Sequence, residues 1–230
     1  MAGRRAPSAR RPLRRSQHFL RSSALAAQLV RDAGIGADDL VLDLGAGTGR
    51  LTAQLAHAAG RVRAVELDPR LAARLRDRWS NVVVVEGDAV TVELPHEPFR
   101  VVANLPFDRT TDLLHVLLDD PRTPLLRADV VVQWDVAFRR AVPWPSTLNG
   151  VVWGALYETS VARRLPRTAF EPAPAVDAGV LVFRRRAEPL IPPELVGDYR
   201  RFTARGFRRL ATARDLDAHQ WAELFKKTRK

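Results

Sequence analysis

The stretch that most constrains the fold runs from Leu40 to Gly49. Leu40-Val41-Leu42-Asp43-Leu44 passes directly into Gly45-Ala46-Gly47-Thr48-Gly49. The apolar part reads as a strand. The glycines let the backbone turn tightly and approach a ligand with no Cβ in the way. Leu51 to Ala59 then reads as a helix. Strand, glycine loop and helix form the opening unit of a doubly wound α/β sheet, whose ligands collect beyond the carboxyl ends of the strands. The spacing is Gly-x-Gly-x-Gly, not the Gly-x-Gly-x-x-Gly of dinucleotide binders.

Three more strand ends fit the same crevice. Arg61 to Val65 ends at Glu66, an acid able to accept both hydroxyls of a ribose. Asn81 to Val85 leads to Gly87-Asp88-Ala89, where the acid can accept from an adenine amino group. Phe99 to Ala103 leads to Asn104-Leu105-Pro106-Phe107. The last of these suits methylation of an exocyclic base amine. Adenine N6 is a poor nucleophile because its lone pair is delocalised into the ring. The Asn104 carboxamide oxygen and a neighbouring backbone carbonyl can accept both N–H bonds and draw the amine toward tetrahedral geometry. Pro106 fixes φ and removes a competing donor. Phe107 offers a stacking face to a flipped base. Asn-x-Pro-aromatic also arises by chance at a strand end. A nicotinamide dehydrogenase would explain the glycine loop and Glu66 but not Asp88 or Asn104. S-adenosylmethionine explains all four, with its amino-acid part at the glycine loop, ribose at Glu66, adenine at Asp88 and methyl group facing Asn104.

The ordered set Gln17-His18-Phe19-Leu20, Asp43–Gly49, Glu66, Gly87-Asp88-Ala89, Asn104–Phe107, Val132-Gln133-Trp134-Asp135-Val136-Ala137 and Phe170-Glu171-Pro172-Ala173-Pro174-Ala175-Val176-Asp177 resembles the ribosomal RNA adenine N6-methyltransferases over residues 14–184. Within them the chain looks most like the erythromycin-resistance (Erm) branch. These enzymes modify one adenine of 23S rRNA at the peptidyl-transferase centre and block macrolides, lincosamides and streptogramin B. The sister branch comprises the 16S rRNA dimethyladenosine transferases of ribosome assembly. The resemblance implies a Rossmann-like class I methyltransferase of the α/β class, with a seven-stranded mixed sheet and a small C-terminal helical domain. It places Gln17, His18, Leu20, Gly45, Ala46, Gly47, Glu66, Asp88, Ala89 and Asn104 at S-adenosylmethionine. It places Asn104, Leu105, Phe107 and Phe170 at the target adenine, sandwiched between the two phenyl rings. Two departures stand out. His18 replaces a usual Asn, and Phe107 replaces a common Tyr, which rules out a phenolic proton relay.

The remaining sequence bounds the partners. The formal charge is 37 − 26 = +11, which suits a polyanion such as rRNA. Thirty-four of the 37 cations are Arg, a bias that high-GC coding explains without function. Their placement says more. Residues 1–16 hold Arg4, Arg5, Arg10, Arg11, Arg14 and Arg15 and no acid, which reads as a disordered arm on phosphates. Arg10, Arg11, Arg14, Arg15, Arg139, Arg140, Arg208 and Arg209 are the candidate RNA contacts. The absence of cysteine excludes disulfides and thiol chemistry, and five scattered His predict no metal. Apolar runs fall short of a membrane span, and the Arg-rich N-terminus lacks the apolar region of a secretory signal. These features predict a monomeric cytoplasmic protein. The expected layout is an arm over 1–16, a catalytic domain over 17–186 and helical RNA-binding residues over 187–230, a tail short for the family. Expected helices are 22–33, 69–79, 110–118 (capped by Thr110 or Thr111), 135–141 and much of 194–227. Residues 128–134, 151–165 and 178–183 hold further strands, and 143–150 form a loop around Trp144. Two other classes remain open. One is a non-catalytic rRNA-binding chaperone. The other is a DNA adenine methyltransferase, which would need a target-recognition domain not evident here.

Overall fold

The computed structural model describes residues 17–141, 147–209 and 211–229. Its elements are β1 (Phe19–Leu20), α1 (Ser23–Ala33), β2 (Leu40–Leu44), α2 (Arg50–Ala58), β3 (Arg61–Glu66), α3 (Pro69–Leu75), β4 (Val82–Glu86), β5 (Phe99–Asn104), α4 (Thr110–Leu118), β6 (Leu125–Gln133), α5 (Trp134–Ala141), α6 (Leu148–Gly154), β7 (Tyr157–Leu165), β8 (Phe170–Glu171), β9 (Ala178–Arg185), α7 (Val196–Arg209) and α8 (Ala218–Lys227).

Seven strands form one sheet in the order β4-β3-β2-β5-β6-β9-β7. β2 pairs in parallel with β3 and with β5. β9 runs antiparallel between β6 and β7. The direction of winding therefore reverses between β2 and β5. Their carboxyl ends, Leu44 and Asn104, flank the crevice where ligands of such sheets bind. All five residues of β2 are buried, as expected for a strand covered on both faces.

One buried cluster includes Leu42, Leu44, Val101, Ala103, Leu114, Trp153, Phe183, Tyr199, Trp221 and Phe225. It runs without a break from the sheet into α7 and α8. Trp221 stacks on Phe207 at 5.6 Å, meets Phe202 edge to face and donates from Nε1 to the Ala213 carbonyl. A second cluster on the opposite face joins α1, Val41, Val131, Phe170 and Val180.

Several local expectations changed on folding. α3 stops at Leu75 because Arg76 is extended at φ −58° and ψ 143° and Asp77 is left-handed at φ 58°. α4 starts after Arg109, not after a Thr cap, since Thr110 donates its hydroxyl to the Pro106 carbonyl. Residues 148–154 form a helix rather than loop and strand. The Thr147 side chain accepts from Gly150 N, and Val151, Val152 and Trp153 gain core burial that outweighs their strand preference. Leu20 and Phe19 pair with Phe170 and Glu171 in a small second sheet that local pattern did not show. Ser22 caps α1 as expected, accepting from Leu25 N.

Candidate active site

The glycine loop rests on backbone geometry closed to other residues. Gly45, Gly47 and Gly49 have φ of 81°, 57° and 79°. A Cβ on Gly47 would stand 2.6 Å from the Phe19 ring, and one on Gly45 would press on Pro106 at 3.2 Å. The loop after β2 thus touches both the N-terminal strip and the loop after β5. Glu66 at the end of β3 is buried, and its carboxylate accepts from Gly47 N at 2.7 Å and Asp68 N at 2.8 Å. It holds the glycine loop first, and ribose hydroxyls would share its remaining lone pairs.

Beneath the loop lies the acid that opens the Asp43–Gly49 motif, a residue assigned no role from its sequence context. Asp43 is 1% exposed and accepts from the Thr52 hydroxyl at 2.7 Å. Burial, with the nearby Glu66 carboxylate adding to it, pushes its pKa up to about 7. A polar residue inside an otherwise apolar, doubly covered strand was the available signal.

Asp88 follows β4 and is half-exposed. One oxygen accepts from Val90 N at 2.9 Å, and the other faces the Arg109 guanidinium at 3.4 Å. Arg109 also pairs with Asp112, so the expected adenine acceptor is linked to the loop after β5. Ala89 packs against the core beside it. Arg50 is a second residue missed by the sequence reading: it donates from Nη1 to the Leu20 carbonyl and ties α2 to the N-terminal strip. Gln17 and His18 are half-buried, and Leu20 and Ala46 are buried.

Asn104 closes the crevice. Its Nδ2 donates to the His18 carbonyl at 2.7 Å. That bond fixes the amide, leaving Oδ1 buried with no hydrogen-bond partner among the described residues. A buried acceptor without a donor is costly, and a base amine or a cofactor ammonium would satisfy it. The Leu105 side chain lies in the core, and its N–H donates to the Val131 carbonyl at 3.1 Å. Only the Leu105 backbone is therefore available to a substrate. Left-handed glycines for close approach, acidic acceptors on successive strand ends and an orphaned amide oxygen fit a nucleoside-bearing amino acid.

Phe107 and Phe170 come together, but not as an open sandwich. Their centroids are 6.1 Å apart with planes at 69°, and Phe170 is 1% exposed. A base stacked between them needs parallel rings, so the pair forms a wall on which one face is presented. The Phe170 loop is braced by Asp177, whose carboxylate accepts from Arg167 N and from Arg164, and whose carbonyl accepts from Trp134 N. Those contacts hold the Asp177 pKa below its ordinary value, the Arg167 N–H contributing most.

Of the candidate RNA contacts, Arg139, Arg208 and Arg209 are exposed. Arg140 is not the exposed cation expected. Its guanidinium packs over the Trp153 ring at 4.8 Å, and burial lowers its pKa. Its Nη1 is buried without a partner among the described residues. Arg10, Arg11, Arg14, Arg15 and Trp144 lie outside the described residues. Among the described residues no group of His, Cys, Asp and Glu could hold a metal, and no helix is long and apolar enough to cross a membrane.

Comparison with known proteins agrees with this geometry. The chain is 37% identical over 206 residues to an rRNA adenine N-6-methyltransferase of Streptomyces fradiae, covering 86% of this chain and 63% of that protein. It is 39% identical over 141 residues to the mycinamicin-resistance protein MyrB of Micromonospora griseorubida, covering 60% of this chain and 44% of that one. The chain thus spans roughly half to two-thirds of these relatives' lengths. The crystal structure of the 23S rRNA methyltransferase ErmE superposes with a TM-score of 0.80 at 28% identity, covering 92% of this chain and all of that one. The resemblance read from the motifs and the mixed seven-stranded fold both hold. The profile of the ribosomal RNA adenine dimethylases matches residues 11–216, and the chain belongs to that family.

Proposed function

We propose that the protein transfers a methyl group from S-adenosylmethionine to N6 of one adenine in the peptidyl-transferase loop of 23S rRNA, giving resistance to macrolides, lincosamides and streptogramin B. The observation that carries this reading is the orphaned, buried Asn104 Oδ1 at the point where the sheet reverses. S-adenosylmethionine, when bound, supplies an electrophilic methyl on a sulfonium. The chain's own work is positioning. Gly45, Ala46 and Gly47 cradle the amino-acid part beside the backbone of Gln17–Leu20, Glu66 takes the ribose, and Asp88 and Ala89 take the adenine. Asn104 Oδ1 accepts one N6–H of the target, and the Leu105 carbonyl accepts the other. Both bonds favour a pyramidal nitrogen with its lone pair aimed at the methyl. Phe107 and Phe170 hold the flipped ring. The methylated amine is a strong acid and releases its proton to water, so no general base is required of the site. Such catalysis is mainly orientation and preorganised acceptors.

Arg139, Arg208 and Arg209, with the arm over residues 1–16, would grip phosphates, and residues 187–230 would act as an RNA-binding unit beside a catalytic domain over 17–186. We place the protein in the cytoplasm as a monomer. The choice of 23S over 16S rRNA rests on ErmE being a 23S rRNA methyltransferase and MyrB a resistance protein. The test is to incubate the protein with labelled S-adenosylmethionine and 23S and 16S rRNA, then locate the modified base by primer-extension stops. A stop at one adenine of the peptidyl-transferase loop supports the proposal. Label in the 3′-terminal hairpin of 16S rRNA moves the protein to the assembly branch. Label in neither favours a non-catalytic rRNA-binding protein.

A further inference from the structure

We infer that the imidazole of His18 belongs to the target-base pocket, as a positioning residue for Phe107, and not to the cofactor site where its backbone lies. The inference rests on the adenine-methylating reading. His18 makes three contacts, two with the end of β5 and the loop after it and one with the loop after β8. Its carbonyl accepts from Asn104 Nδ2 at 2.7 Å. Its Nδ1 lies 2.8 Å from the Pro172 carbonyl. A carbonyl can only accept, so Nδ1 carries the proton. Its ring centroid stands 5.4 Å from that of Phe107, with the planes at 38°.

Phe107 therefore has two neighbouring rings, His18 at 5.4 Å and Phe170 at 6.1 Å. Phe170 is locked in the core and belongs to the strand that pairs with Phe19 and Leu20. His18 is one residue before that pairing, and its bond to Pro172 spans the same two segments. The imidazole thus bridges the loop bearing Phe170 to the ring of Phe107. One partner of the ring follows Phe170 in sequence and the other is Phe107, the two aromatics proposed for the target base. Without it, the half-buried Phe107 side chain loses a packing partner and gains rotameric freedom, which a stacked base would then have to remove. An asparagine could keep an amide donor here but has no ring to brace Phe107.

The test uses the full chain with His18→Ala, His18→Phe and His18→Asn. Cofactor Kd is measured by calorimetry with S-adenosylmethionine. KM and the single-turnover rate are measured on a 23S rRNA fragment carrying the peptidyl-transferase loop. We expect His18→Ala to leave the cofactor Kd within twofold and to lower the single-turnover rate about tenfold. His18→Phe, which keeps a ring, should recover most of that loss, and His18→Asn little of it. A tenfold weaker cofactor Kd with the RNA step unmoved would make the imidazole a cofactor contact and overturn the inference. An unchanged or faster His18→Ala would overturn it as well. If His18→Ala does not fold, the order of the Phe and Asn variants decides. A wild-type protein that binds S-adenosylmethionine but methylates no rRNA removes the functional reading itself, and this inference with it.

Discussion

Asn104 donates its amide N–H to the carbonyl of His18 across 86 positions of sequence, at 2.7 Å. That single bond decides which end of the carboxamide is left over. The donor end is consumed, and the acceptor end is buried with no hydrogen-bond partner among the described residues. The N-terminal strip therefore orients the Asn104 side chain.

Asn104→Ala should lower turnover by about 10²–10³-fold while leaving the cofactor bound. Loss of one preorganised acceptor typically costs about 10²–10³ in rate, roughly 3–4 kcal/mol. Single-turnover methylation and calorimetry on the same preparation check this. Near wild-type methylation would sink the assignment. Asn104→Asp should be no better, since a carboxylate cannot donate to the His18 carbonyl.

Asp43 predicts how stability depends on pH. Its folded pKa is raised to about 7 from an ordinary carboxylate value, chiefly by burial. Between about pH 4 and 7 the folded state holds a proton that the unfolded state has released. Stability from this group is therefore full below about pH 4 and is lost as pH rises toward 7, by up to about 4 kcal/mol. Urea unfolding of the wild type and of Asp43→Asn at pH 5 and 8 tests the sign. The variant should show a flatter profile over that window, because it has no proton to exchange. Parallel profiles would remove Asp43 from the account.

Gly47→Ala should cost both stability and cofactor affinity. The residue sits at φ 57°, and an added Cβ would meet the Phe19 ring at 2.6 Å. The backbone term alone is about 1–2 kcal/mol. The Phe19 ring must also move, and with it the strip that holds Asn104. Thermal unfolding with and without S-adenosylmethionine separates the two effects, and a normal ligand-induced shift would contradict the second.

Exposed arginines should show themselves in salt dependence. Replacing Arg208 and Arg209 together with Ala should weaken RNA binding and flatten the plot of log K against log salt by roughly one for each lost phosphate contact. Removing residues 1–13 should do the same without altering cofactor Kd. Arg140→Ala should leave the slope as it is, since that guanidinium is packed on Trp153. An unaltered slope for the first two would show those arginines to be idle.

The sequence alone determined what is local or repeated along the chain. Apolar runs ending in Gly45, Glu66, Asp88 and Asn104 specified a parallel α/β core and its ligand end, because burial and glycine freedom act over a few residues. The same runs carried the residues proposed for the site. Tertiary structure decided what depends on a distant partner. It set Phe170 edge-on to Phe107, because β8 pairs with β1. It drew Arg140 inward, because Trp153 lies on a helix whose valines had suggested a strand. It gave Asn104 its orientation, because His18 arrives from the other end of the domain. Propensity and spacing carry no information about a neighbour brought in by folding, and packing decides between alternatives that differ locally by less than a few kcal/mol.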